Sequence, residues 1–111
     1  MKIVKFLLTI IYVYFLSSQS SIADDAKMKK GLEIFNETAG SAGCHALKSA
    51  GAEANIGPNL DTVSLTEELV KEMVTYGLGV MPSYGECILT KEEIDIVSFY
   101  VANSAGKWII F

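Results

Sequence analysis

The stretch Ser41-Ala42-Gly43-Cys44-His45 constrains this chain more than any other, because it fixes a sulfur and an imidazole side by side in the backbone. It reads as C-x-x-C-H, the covalent haem-attachment pattern, with serine at the first cysteine position. In that pattern a cysteine sulfur adds to a haem vinyl group as a thioether, and the imidazole of the next residue meets the iron. The two must be sequence neighbours so that one turn of backbone presents both to the same porphyrin. Cys44 and His45 keep that adjacency, whereas the Ser41 hydroxyl cannot form a thioether. A Cys-His pair by itself is weak evidence. The reading depends on what surrounds it.

The 111 residues allow one domain at most. Met1 to Ala23 reads as a signal peptide outside that domain. Lys2 and Lys5 give a positive start, Phe6 to Leu16 is an uncharged apolar run, and Ser21-Ile22-Ala23 resembles a signal-peptidase site. A retained anchor is the competing reading, but this run falls well short of the roughly 20 residues a membrane-crossing helix needs. The expected product spans residues 24–111 and is exported, to the periplasm if the source is bacterial.

Removing Lys2 and Lys5 leaves seven lysines against thirteen carboxylates, a formal charge of −6, and the chain has no arginine. This balance argues against nucleic acid and against anionic membrane, both of which demand a basic face. It favours docking to a partner with positive charge around its contact patch, although acidity also serves solubility alone. A domain this short folds with a small core, to which a haem would add a large apolar plate.

The two cysteines, Cys44 and Cys87, would in an exported protein ordinarily be read as a disulfide. Such a bond would take the Cys44 sulfur away from haem, so the two readings exclude each other. Sequence does not give their separation, which would have to be under about 7 Å between α-carbons. A Cys87 that stays unpaired would be expected to pack as a buried thiol.

Asp24 to about Thr38 has helical spacing, with the two aspartates at the positive end and Met28, Leu32 and Phe35 along one face. Gly31 inside this helix costs up to about 1 kcal/mol relative to alanine, which suggests that a backbone or ring lies close against it. Ala39-Gly40 then breaks the helix. Residues 46–63 form a long aperiodic segment, unusual in a compact domain unless functional, with Gly57-Pro58-Asn59-Leu60 in its middle. Ser64 and Glu67 read as a capping box opening a second helix, with Leu69, Val70 and Met73 as its apolar stripe and Gly77 as its stop. The linker from Leu78 to Gly85 is too rich in Gly and Pro for helix. Thr90 and Glu93 form another box, opening a helix to about Asn103 or Ser104 whose inward positions are Ile94, Val97 and Val101, widened by Ile96, Phe99 and Tyr100. Trp108 to Phe111 are expected to pack onto the domain. No run alternates as strands do, so the expected class is all-α with long loops.

Together these pieces resemble a class I cytochrome c, over about Lys27 to Lys107. Gly31-x-x-x-Phe35 precedes the haem motif, Gly57-Pro58-Asn59-Leu60 stands at the family's Gly-Pro turn, and Gly79-x-Met81-Pro82 stands at its distal methionine. The resemblance implies three to four helices with long loops wrapped around one haem, the first and last helices crossing where Gly31 makes room for an aromatic such as Tyr100. It implies His45 as proximal iron ligand, Met81 as distal ligand, Cys44 as the single thioether of a haem c, and the Pro58 carbonyl as acceptor for the second ring N–H of His45. Ser41 is the departure from the family pattern.

A His nitrogen and a Met sulfur would leave the iron no open position, so the implied role is single-electron transfer and not catalysis. The soft thioether raises the potential relative to two imidazoles. Ile56, Leu60, Val63, Met73 and Tyr76 are candidates for the apolar shell, and the haem edge is expected near Ala42 and Gly43. The implied partners are redox proteins, donors and acceptors with a basic docking face, met by a monomer with at most transient contact to membrane proteins. A blue-copper site would call for a second histidine, and Cys44, His45 and Cys87 do not make a zinc spacing. The stronger rival is a haem-free binding module of the same fold closed by Cys44–Cys87.

Overall fold

Apolar residues at helical spacing give three α-helices among the described residues: α1 (Lys2–Glu33), α2 (Glu67–Tyr76) and α3 (Lys91–Ser104). The computed structural model describes residues 1–85 and 87–107, with residues 16–21 described through their backbone alone. The segment Trp108–Phe111, expected to pack on the domain, lies outside the described residues. Between α1 and α2 the chain makes a π-turn (Ile34–Thr38), three short 3₁₀ turns, and a two-stranded antiparallel pair, β1 (Ala46–Leu47) against β2 (Ala52–Glu53), in which Ala46 faces Glu53 and Leu47 faces Ala52. The long segment is therefore a chain of tight turns around one small strand pair.

The first helix differs from expectation at both ends. It runs unbroken across Ala23–Asp24, so the two aspartates sit within a helix instead of at its N-terminus. Every side chain from Met1 to Phe15 is exposed. Among the described residues no helix is long and apolar enough to cross a membrane. At the other end the last turn widens to a π-turn, with Ala39 N–H donating to Ile34 C=O at 2.8 Å. The wider turn buries Ile34 and Phe35 together, each 1% exposed.

The helices α1 and α3 cross at Gly31. A methyl group there would collide with Tyr100 Cβ and come within 3.0 Å of the Ile96 carbonyl oxygen, so only hydrogen lets the two backbones approach. The Phe35 and Tyr100 rings then meet at a tilt of 57° with centroids 6.0 Å apart, within the favoured range for aromatic pairs. The crossing expected from the cytochrome resemblance is present, and Tyr100 is the aromatic involved.

The α3 cap matches its sequence pattern in both halves: Glu93 N–H donates to Thr90 Oγ1 at 3.1 Å, and Thr90 N–H donates to Glu93 Oε2 at 2.8 Å. The α2 cap does not. Thr66 caps that helix, accepting from Leu69 N–H at 3.2 Å, and Ser64 lies outside it. The reason is tertiary. Gly106, just past α3, donates to Leu60 C=O at 2.9 Å and packs on Val63 and Ser64, so the extended chain at Val63 separates the 3₁₀ turn Leu60–Thr62 from α2 and leaves Ser64 outside the helix. The inward face of α2 is Val70 and Val74; Met73 is half-buried, and Leu69 points outward at 40% exposure.

Candidate haem site

The motif turn follows directly from the π-turn. Gly40 takes a left-handed conformation, Cys44 N–H and His45 N–H both donate to Ser41 C=O at 3.0 and 2.9 Å, and the turn closes over the three residues Ser41–Gly43. Its far side is stitched to the Gly-Pro turn, where Gly57 N–H donates to Cys44 C=O at 2.7 Å. These bonds bring His45 and Pro58 face to face.

His45 Nδ1 lies 2.8 Å from the Pro58 carbonyl oxygen. A carbonyl can only accept, so Nδ1 carries the proton and Nε2 keeps its lone pair free for an electrophile. The ring is also wedged: a methyl group at Gly57 would stand 2.8 Å from Nδ1, so no larger residue fits beside it. One carbonyl and one glycine thus set both the tautomer and the tilt of the imidazole.

The imidazole opens onto an apolar cavity of about 440 Å³ lined by Ser41, Cys44, His45, Pro58, Leu60 and Met81, with Ile56, Val63, Leu65, Met73 and Tyr84 filling out its walls. A narrower extension of about 60 Å³ reaches inward to Phe35, Val70, Val74, Val97 and Val101. Leu78, Val80 and Pro82 complete the mouth. The volume is in the usual range for a buried ligand. The wall chemistry fits a haem: an imidazole with a free Nε2, a thioether at Met81, one thiol at Cys44, and otherwise hydrocarbon.

Most of the residues expected at the site line this cavity, namely Ser41, Cys44, His45, Pro58, Leu60 and Met81, together with the shell candidates Ile56, Val63 and Met73. Tyr76 is the correction. It is 76% exposed on the outer surface of α2, beside Leu69 and Leu78, and does not line the cavity. Helical geometry explains this, since a residue two positions after the buried Val74 is carried about 200° around the axis. Cys87 is the second correction: it is exposed, not buried, and both cysteines are free thiols, so Cys44 and Cys87 are not joined.

Four lining residues were not foreseen as such: Leu65, Leu78, Val80 and Tyr84. Tyr84 carries the most structure of these. Its ring is 8% exposed, its N–H donates to Val74 C=O at 2.9 Å, and its hydroxyl donates to Ala39 C=O at 3.0 Å. Burial pushes the phenol above the usual tyrosine range. Its signal in the sequence was a large aromatic three residues past Met81 in an otherwise small-residue linker.

The loops that carry these walls are tied by Asp61. Its carboxylate is 4% exposed and accepts from Lys48 N–H through both oxygens at 3.0 and 3.1 Å, while its own N–H donates to Asn59 Oδ1 at 2.9 Å. Buried carboxylates need such partners. Here they lock the turn after Pro58 to the start of the 3₁₀ turn that follows β1, and so hold the Pro58 carbonyl under His45.

In sequence and in fold the chain is similar to known c-type cytochromes. The family model described as cytochrome c oxidase, cbb3-type, subunit III matches residues 26–101. The crystal structure of the c-type cytochrome SorU from Sinorhizobium meliloti is similar with a TM-score of 0.69 and 44% sequence identity, covering 75% of this chain and 95% of that one. No curated protein sequence matches the chain.

Proposed function

Because the chain belongs to the class I cytochrome c family, whose members are haem-based electron carriers, we propose that it holds one haem c between His45 and Met81, tethered through Cys44 alone, and passes single electrons between exported redox partners. The observation that carries this reading is the 2.8 Å contact between His45 Nδ1 and the Pro58 carbonyl at the wall of a cavity that Cys44 and Met81 share. When bound, the haem would supply a one-electron couple.

The protein's part is to hold that couple still. The Pro58 carbonyl polarises the imidazole and raises its donor strength. Met81, on the half-buried end of the Leu78–Met81 turn, offers a soft sulfur that favours the ferrous state. The hydrocarbon walls exclude water and oppose extra charge on the ferric centre. With His45 and Met81 as the two residues that would hold the iron, this chain would act as a carrier and not as a catalyst.

Partner contact is expected at the cavity mouth. Ile56, Leu78 and Val80 are exposed there at 69%, 68% and 88%, a cluster that suits a transient apolar contact. The adjoining outer surface of α2 carries the exposed Glu68 and Glu72, while Lys71 is paired with Asp95. That imbalance favours a redox partner with a basic rim. Export fits the N-terminus, whose exposed apolar helix from Met1 to Phe15 contributes nothing to the core. N-terminal sequencing of the native protein should begin at Asp24.

Replacing Met81 with alanine in protein made by a haem-attaching host tests the ligand set. The methionine-to-iron charge-transfer band should disappear and the potential should fall. A spectrum identical to wild type would remove Met81 as a ligand.

A further inference from the structure

We propose that Tyr84 is the positioning residue that takes over the role of the missing first cysteine, tying the Ser41 end of the motif turn to the Met81 loop. The inference rests on the haem reading above and extends it to a residue outside the ligand set. A two-cysteine motif pins both ends of its turn to the porphyrin. Here Ser41 leaves the N-terminal end, from Ala39 to Ser41, with no covalent tie.

The Tyr84 hydroxyl reaches that end. It donates to the Ala39 carbonyl at 3.0 Å, across 45 residues of chain, directly before Gly40 and Ser41. Ala39 lies just past the π-turn, where a carbonyl has lost its helical partner and needs another donor.

The other end of the tie is equally fixed. Tyr84 N–H donates to Val74 C=O at 2.9 Å, Gly85 N–H to Thr75 C=O at 3.2 Å, and Ser83 Oγ to Thr75 C=O at 2.6 Å, so the distal loop caps the last carbonyls of α2. Leu89 N–H closes the loop by donating to Tyr84 C=O at 3.0 Å. One phenol therefore links the segment carrying Met81 to the segment carrying Cys44 and His45. The ring itself lines the cavity with all three.

The test uses full-length holoprotein in four forms: wild type, Tyr84→Phe, Ser41→Cys, and both together. Imidazole is titrated into the ferric protein, and its displacement of the methionine is followed by loss of the charge-transfer band. Amide hydrogen exchange at Gly43, Cys44 and His45, whose N–H groups bond within the motif turn, gives a readout independent of the haem spectrum. Losing one neutral hydrogen bond shifts an opening equilibrium by about fivefold. Tyr84→Phe should therefore raise imidazole affinity and turn-amide exchange by about fivefold, and Ser41→Cys should abolish most of both effects by pinning the turn to the porphyrin. An effect of Tyr84→Phe that is under twofold, or equal with and without Ser41→Cys, would overturn the proposal while leaving the ligand set intact. A chain with no Soret band in any form would instead remove the haem reading and this inference with it.

Discussion

Replacing Gly31 with alanine sets two opposed effects against each other at the crossing of α1 and α3. Alanine is the better helix former, by about 1 kcal/mol in a helix interior. At an unencumbered position the change would stabilise the domain by that amount. Here the new methyl group would collide with Tyr100 Cβ and come within 3.0 Å of the Ile96 carbonyl oxygen, and neither belongs to a flexible side-chain end. Relief requires α3 to move away from α1, which opens the contact between Phe35 and Tyr100. Overpacking of a tight core costs about 1–3 kcal/mol, and backbone and Cβ atoms put this case at about 3. The expected net loss is then about 2 kcal/mol, a large share of the roughly 5–15 kcal/mol that stabilises a typical domain. In urea the midpoint of the holoprotein should fall by about 1 to 2 M with an unchanged slope, and its melting temperature by about 8–16 °C. A midpoint equal to or above that of wild type would show that helix propensity governs the site and that the crossing is looser than described.

Three further outcomes follow from particular contacts. Gly57→Ala should tilt or displace the His45 ring, since the added methyl group stands 2.8 Å from Nδ1; resonance Raman or magnetic circular dichroism of the axial bond should change, and an unaltered axial signature would contradict the wedge. Thr90→Ala removes one half of the α3 capping box and should cost about 1 kcal/mol in urea unfolding, with no change in the haem spectrum. Ser98 Oγ is buried without a hydrogen-bond partner among the described residues, so Ser98→Ala should leave stability unchanged or raise it by up to about 1 kcal/mol; a loss larger than that would reveal a partner for the hydroxyl.

The features that could be read from sequence are those decided locally or by strict spacing. The Thr90 and Glu93 box needs only four consecutive residues, and both its hydrogen bonds form. Gly31 and Tyr100 could be paired because a glycine inside an amphipathic helix signals a close approach, and the cytochrome resemblance supplied the partner. What failed was set by distant contacts. Ser64 has a box pattern as good as that of Thr90, but Gly106 packs on the chain beside it and Thr66 takes the cap instead. Tyr76 shares its apolar character with the shell residues, and only the angle around α2 separates it from them. The π-turn after Glu33 and the bond from Tyr84 to Ala39 leave no pattern in sequence, because each depends on how two segments meet in space.

The most direct test of the whole account is the denatured mass of the mature protein, isolated from a haem-attaching host and read beside its visible spectrum. The prediction is a mass equal to the polypeptide from Asp24 plus one haem, surviving acid denaturation through a single thioether at Cys44, with a Soret band in the folded state. A colourless protein with the bare polypeptide mass would contradict it.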